Sequence, residues 1–500
     1  MICAPRRWTA SVSCTLLLLS GLASAQTIYV DASNPNCPGT GTQTDPYCLI
    51  QTAIGAANTG DTVLVAPGTY LENVDFLGKA IEVRSSNGPG VTTIDGNLLG
   101  SAVAFRTGEG PLSKLSGFRI QNGSGTPCGV GTTCGGGIVC DGSSPSIEGN
   151  ELVQNNATFG GGILCLNLAA PAIVNNTISS NTAQNSNGGV GCLYGAAPVI
   201  RGNTISSNSA TYASGGVGAY LSSPHIVGND ITGNSVTRYM GGVGAIAGNP
   251  IIERNHIEGN TSSYVMGGIG CANGAAPIIT GNTITANRAI RLSGGVGLAY
   301  GASATLANNT ITNNVAGSAA GVGCFYASTA TIVNDTLSGN QAYFAPGGGI
   351  VVDAGSTVNV TNAILWYNVP LETFNLGGTI NINTSDVRGG YPGTGNIAAD
   401  PLFVSSATGD FRLTCASPCV DAGNGSPGIP LPLFDQSGLD LRQIGPIDMG
   451  SDEAGALWQV NGPVRPGGPA VTATVTAVPS HPRGTAEIQF SLMPQTGADG

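Results

Sequence analysis

Charge is the scarcest commodity in this chain. Asp, Glu, Lys and Arg together make up 9% of 500 residues, against roughly 25% in an ordinary globular protein. Only 17 residues are Lys or Arg against 28 Asp or Glu, a formal net charge of −11. That balance leaves no basic face for nucleic acid and too little charge for a charge-rich disordered chain. Aromatics are 5%, and there are three His, five Met and three Trp. Long apolar runs are also missing, apart from a short one at 16–19. That run falls short of the ~20 residues needed to span a bilayer, and no later stretch qualifies. No Cys-x-x-Cys pair or Cys/His set has zinc-ligand spacing.

What is there first is an export signal. Arg6 and Arg7 precede the apolar run, and Ala23-Ser24-Ala25 is an A-x-A cleavage site that would leave Gln26 first. Residues 1–25 are therefore read as a signal peptide and the mature chain as secreted, extracellular or at the cell surface. Loss of two Arg takes the formal charge to −13. In an oxidising compartment the close pairs Cys37/Cys48, Cys128/Cys134 and Cys415/Cys419 read as loop-closing disulfides.

Glycine is abundant, 78 residues, and it recurs on a period. From about 135 to 370 an Asn-x-(Ile/Leu)-x-x-Asn unit returns every 26 or 27 residues, with its first Asn at 150, 176, 203, 229, 255, 282 and 309. Asp335 takes that place once and Asn362 follows. A Pro-x-Ile phrase precedes each unit and a Gly-Gly-(Val/Ile) phrase follows it, as in Ala197-Pro198-Val199-Ile200 and Gly215-Gly216-Val217. Each period thus holds about three short strands separated by turn residues. The expected fold is all-β: a right-handed parallel β-helix, one coil per period, three short strands per coil, with capped ends. Equivalent residues then stack at ~4.8 Å. Cys140, Cys165, Cys192, Cys271 and Cys324 fall in one column with Ala219, Ala245 and Leu298, which reads as an inward core position. The first three could alternatively form a stacked disulfide.

The ends carry a resemblance. The run Ile28-Tyr29-Val30-Asp31, the helical face of Ile50, Ala53, Ile54 and Ala57, Gly60-Asp61-Thr62-Val63 and Ala66-Pro67-Gly68-Thr69-Tyr70 resemble the opening of secreted β-helix proteins of the pectate-lyase-like superfamily. Asp400-Pro401-Leu402-Phe403, Ser417-Pro418-Cys419-Val420-Asp421-Ala422-Gly423 and Ile447-Asp448-Met449-Gly450 resemble their closing segment. The resemblance covers about 27–455 and speaks to fold more than to activity, since that superfamily holds lyases, hydrolases, adhesins and proteins without a reaction. Leu439-Asp440-Leu441-Arg442 matches only partly the Asp-x-Asp-Gly stretch of relatives. Asp421, Asp440 and Asp448 could bind calcium through oxygen ligands, or simply build a capping loop. No other cofactor is implied. The Asp cluster with Arg of calcium-dependent pectate lyases and the Asn-Thr-Asp motif of polygalacturonase relatives are not seen. After a Gly/Pro linker at 459–470, the remainder resembles the start of a small immunoglobulin-like C-terminal sorting module. The resulting division is 1–25, 26–134 (N-terminal cap and first coils), 135–370 (regular coils), 371–455 (last coils and C-terminal cap) and 456–500 (linker and incomplete β-rich tail).

Two places hold candidate chemistry. Counting five residues back from the Val or Ile of each Gly-Gly phrase gives Tyr212, Arg238, Tyr264 and Arg291 on consecutive coils, with Tyr239 beside them. Tyr faces stack on sugar rings and Arg pairs with carboxylates, so this column is read as a binding face for an acidic polysaccharide. The plainer alternative is a cation–π ladder over a loop. The second place is 225–258, where Asp230 and His256 should be neighbours one coil apart and Arg201, Glu253, Arg254 and Glu258 lie close. A lyase would use His256 or Arg254 as base with Arg201 or Arg238 neutralising a uronate. A hydrolase would use Asp230 with Glu253 or Glu258. A hydrated ion-pair patch is the plainer alternative. The sequence favours an exported binding scaffold for polysaccharide over an enzyme; a polysaccharide lyase or glycosidase, and a structural or adhesive protein, are the alternatives.

Overall fold

The computed structural model describes residues 25–429 and 447–453, and the backbone of strands Ala456–Val460, Ala473–Pro479 and Glu487–Phe490. The signal segment, Asp440 and the partial motif at 439–442 lie outside the described residues.

One coil shows the rule. Val199–Arg201, Thr204–Ser206, Ser209–Ala210 and Val217–Tyr220 are successive strands. Each pairs in parallel, in register, with its equivalent one coil on: Ile200 with Ile226, Ile205 with Ile231, Ala210 with Val236, Val217 with Val243. The coils therefore build four sheets of 14, 13, 10 and 12 strands, called here sheets 1 to 4 in that chain order, parallel throughout except for the antiparallel pair Thr126–Gly129 and Thr132–Cys134 that starts sheet 3. Three are the strands expected from the phrases. The fourth, sheet 3, is a ladder mostly of two-residue strands just after the second Asn. The solenoid follows from alternation: with period two, the Ile of Thr204-Ile205-Ser206 turns inward and its neighbours outward. Ile200, Ile205, Val217 and their equivalents are fully buried in one continuous core.

Asparagines close the bends. The residue before each first Asn is left-handed: Gly202, Gly228 and Gly281 have φ of 64°, 61° and 64°, a region glycine enters without a Cβ clash. The Asn side chain that follows turns into the core wall. Asn176 donates to Asn203 Oδ1 at 3.0 Å, and Asn203 to Asn229 Oδ1 at 3.0 Å. A second ladder repeats this through Asn181, Asn208 and Asn234. Each amide also donates to a core-strand carbonyl, as Asn203 does to Ile173. The cysteine column is buried as expected, in register from Cys140 to Cys165 to Cys192, and all three thiols are free.

Both ends are covered. Helix α1, Ile50–Ala56, buries Ile50, Ala53 and Ile54 at the first coil. Glu72 accepts the N–H groups of Ile50 and Gln51, and Lys79 Nζ donates to the carbonyls of Ile54, Gly55 and Ala57. Disulfides join Cys37 to Cys48 and Cys128 to Cys134. The third expected disulfide is absent: Cys415 is exposed, while Cys419 is buried and its thiol donates to Asp386 Oδ2 at 3.2 Å. Their side chains face opposite environments, so nearness in sequence does not bring the sulfurs together. Farther on, Asn334 donates to the Asp448 carbonyl, and Ser451 hydrogen-bonds Thr336 and Thr310, so the closing segment lies back against sheet 2. The last three strands form an antiparallel sheet.

Candidate functional site

The groove begins with a glycine strip. The second residue of each sheet 4 strand points outward, and in consecutive coils it is Gly191, Gly218, Gly244, Gly270, Gly297 and Gly323. The loop before each Gly-Gly phrase folds over that strip. A Cβ on Gly270 would sit 2.3 Å from Met240 Cγ and 2.7 Å from Met266 Sδ, so the methionines lie where only glycine leaves room. Met240, Val265, Met266, Ala272 and Ala299 pack there as a small buried cluster, with Tyr239, Ile246 and Leu292 against it.

Above this floor stand the residues singled out by the five-back count. The Arg238 guanidinium lies over the Tyr212 ring, 5.6 Å from its centroid, and Arg291 lies over Tyr264 at 5.1 Å. Arg291 Nη1 also donates to the Tyr264 hydroxyl at 2.9 Å. Tyr239 meets Tyr212 edge to face at 5.0 Å. Its hydrogen bond with Tyr212, aided by partial burial, raises the Tyr239 phenol above its ordinary pKa. The five residues are thus brought together, as cation–π pairs whose rings remain accessible: Tyr212 and Tyr264 are 44% and 43% exposed.

Tyr212, Tyr239, Tyr264 and Arg291 line a cleft of about 830 Å³, and its other wall carries Tyr300 and Tyr326, stacked at 4.7 Å. A second cleft of about 430 Å³ continues toward the N-terminal coils past Tyr220 and Tyr194, themselves edge to face at 5.9 Å. The two share Tyr212 and Ile246. Seven of the chain's 13 tyrosines line this pair of clefts. From Cys134 to Phe344 the clefts cross eight coil steps, or ~38 Å at strand spacing. The lining side chains include no carboxylate, no imidazole and no lysine. Tyr194, Tyr300 and Tyr326 are absent from the sequence reading. They sit four residues after the Val of their Gly-Gly-type phrase, so a count forward as well as backward reaches them.

The 225–258 candidates lie elsewhere. Asp230 and His256 are register partners on the outer face of sheet 2, and His256 Nδ1 is 3.0 Å from Asp230 Oδ1. Glu258, on the same strand as His256, approaches its other nitrogen at 3.3 Å. His225 and Glu253 belong to sheet 1, joined at 3.2 Å, and Arg254 pairs with Glu253 at 2.8 Å. Arg201 is exposed on sheet 1, in the column of Val227 and Glu253. The set is split between two sheets, and neither half lines the tyrosine clefts. Arg254 occupies a left-handed bend, φ 50°, where neighbouring coils have Gly. At the C-terminal end, Asp448 Oδ1 accepts the Asp421 N–H at 2.7 Å. Among the described residues no three His, Cys, Asp or Glu side chains converge as a metal site, and no helix is long and apolar enough to cross a membrane.

A family model described as "Right handed beta helix region" matches residues 137–288 and 257–387. The chain belongs to that β-helix family. Among solved structures, this β-helix protein is similar to pectate lyase Pel9A, at 15% identity over 87% of this chain and 98% of that one, TM-score 0.43. It is also similar to XylC in complex with xylose, at 10% identity over 76% and 87%, TM-score 0.40. A rhamnogalacturonan lyase shares 12% identity over 76% and 91%, TM-score 0.26. Likeness at these levels bears on neither substrate nor reaction. No curated protein matches the chain.

Proposed function

We propose that this β-helix protein is an exported scaffold that binds an acidic polysaccharide along the tyrosine groove. The supporting observation is the composition of the groove: ring faces and a guanidinium line it, Arg238 sits at its edge, and no acidic side chain does. Sugar C–H faces pack on tyrosine rings, while the phenol edges and guanidinium offer hydrogen bonds to hydroxyls and carboxylates. A groove running with the solenoid axis admits a chain at any point along its length, which suits a polymer better than a small molecule. Export is supported by the signal-like start of the sequence and by two disulfides, which persist in oxidising compartments.

A lyase or hydrolase centred on 225–258 has less support. Its groups are exposed or half-buried, spread over two sheets and apart from the tyrosine clefts. The test is retention of the mature protein on immobilised pectate, alginate and glycosaminoglycans, with absorbance at the unsaturated-product band followed in the same samples. Binding without a rise in absorbance is expected. Failure to bind any of these glycans, or a sustained rise, overturns the proposal.

A further inference from the structure

The groove repeats itself, and the repeat is two coils long. Tyr212 with Arg238 is one guanidinium-on-ring pair, and Tyr264 with Arg291 is the next, with closely similar ring distances of 5.6 and 5.1 Å. The backbone ladder fixes the count. Tyr239 N–H bonds the Tyr212 carbonyl, Val265 N–H the Arg238 carbonyl, and Arg291 N–H the Tyr264 carbonyl, so each step is one coil. By backbone position, Tyr212 and Tyr264, and likewise Arg238 and Arg291, are therefore two coils apart, ~9.6 Å. Beneath and between the pairs the floor is apolar: Met240, Met266 and Ala272 offer no charge and no acceptor side chain but sulfur.

The charges of these two arginines are not spent within the protein. Among the described residues the arginines in ion pairs are Arg84, Arg106, Arg119, Arg254 and Arg412. Arg238 and Arg291 have no carboxylate partner among the described residues, in a chain where acids outnumber bases. A ring face leaves the N–H edge of the Arg238 guanidinium open, and Arg291, which gives one Nη1 N–H to the Tyr264 hydroxyl, has further N–H groups; such groups donate to a carboxylate.

We infer that the groove selects a polymer with one anionic group per disaccharide, not one per sugar. Such a chain, extended with alternate sugars turned over, presents its carboxylates on one side about every second residue, close to the spacing of the two arginines. The intervening neutral sugar lies over the methionine floor, where an apolar substituent such as an N-acetyl methyl finds matching surface. A homopolymer of uronate carries an extra carboxylate on each intervening sugar, and Met240, Met266 and Ala272 offer no cation to pair with it.

This inference rests on the polysaccharide-binding reading, and one experiment separates their failures. Three β-linked or α-linked oligosaccharides of equal length are titrated into the mature full chain by calorimetry: alternating glucuronate–N-acetylglucosamine, galacturonate homopolymer, and an uncharged cello-oligosaccharide. Repeats with Arg238→Gln and Arg291→Gln follow. The alternating oligosaccharide is expected to bind about tenfold tighter than the homopolymer and about a hundredfold tighter than the uncharged chain, and each substitution to weaken its binding about tenfold, one charge-assisted contact apiece. Equal or tighter binding of the homopolymer or the uncharged chain overturns the disaccharide rule and leaves the groove a glycan site. Binding of none of the three overturns both.

Discussion

Asn368 donates its side-chain amide to the carboxyl of Glu372, and the second asparagine ladder ends there. The ladder has a direction. From Asn155 onward every amide donates to the Asn of the next coil, through Asn340 to Asn368. The last amide needs an acceptor, and the Glu372 carboxyl, which also accepts the Asn368 N–H, supplies it. The first ladder ends the same way, with Asn309 donating to Asp335. The single Asp that breaks the Asn repeat is thus a terminator, not an irregularity.

The Glu372 carboxyl gives stability a pH dependence. Burial, outweighing the hydrogen bonds from Asn368, pushes its pKa from 4.5 to about 7, and burial pushes Asp386 to about 6. A carboxyl raised on folding holds a proton that the unfolded chain has released, so its contribution is full below about pH 4 and is lost as pH rises through 7. For Glu372 the loss is on the order of 3 kcal/mol. Glu109, where burial is outweighed by hydrogen bonds from Thr107, Gly78 and Ser143, acts in the opposite direction at lower pH. Urea midpoints should fall between pH 5 and pH 8, and Glu372→Gln should flatten much of that fall. A midpoint rising over this range contradicts the assignment.

Interior rungs of the ladder should be costly to remove. Asn234 is fully buried, accepts the Asn208 N–H and amide, and donates to the Ile205 carbonyl and Asn260. Asn234→Ala leaves donors and an acceptor unpaired in the core wall and should cost about 3 kcal/mol or more. Chemical denaturation reads the shift, and a cost under about 1 kcal/mol would show that the ladder is incidental.

Arg254 predicts a gain. Its backbone is left-handed in a bend column that holds Gly228 before it and Gly281 after it. Arg254→Gly should stabilise by up to about 1 kcal/mol through relief of the Cβ clash, less what its exposed ion pair with Glu253 returns. Unchanged polysaccharide binding is expected alongside, because Arg254 is remote from the groove. A destabilised variant, or one that no longer binds, argues that the residue is kept for function.

Thiol labelling tests the corrected cysteine assignment. Burial pushes the Cys271 and Cys324 thiols up to about 12, and Cys140, Cys192 and Cys419 are raised by the same cause. Native mature protein should therefore label rapidly at Cys415 alone, with the other free thiols reacting only after unfolding. Protection of Cys415 in the absence of reductant would restore the Cys415–Cys419 disulfide.

The legibility of this molecule follows its periodicity. Asn176, Asn203 and Asn229 could be placed above one another from sequence because a single spacing recurs and only a stack makes use of it. The same logic put Tyr212 beside Arg238 and Asp230 beside His256. Sheet 3 escaped because pairs such as Ser209-Ala210 and Thr261-Ser262 are too short to show alternation. Tyr300 and Tyr326 escaped because they reach the groove from the far wall, and sequence spacing does not say which two columns face each other across a loop. Cys415 and Cys419 misled because proximity along the chain carries no information about side-chain direction. The split of Glu253 and His256 between two sheets was likewise hidden: the bend at Arg254 and Asn255 turns sequence neighbours onto different faces.

The most direct test of the groove is affinity electrophoresis through gels containing an acidic polysaccharide that retards the wild-type protein. Two variants are compared, Tyr212→Ala/Tyr264→Ala/Tyr300→Ala and His256→Ala/Glu258→Ala, each shown to be folded by circular dichroism. Loss of retardation in the tyrosine variant with full retardation in the histidine variant is the predicted result. A folded tyrosine variant that is still fully retarded, or a histidine variant that is not, would contradict it.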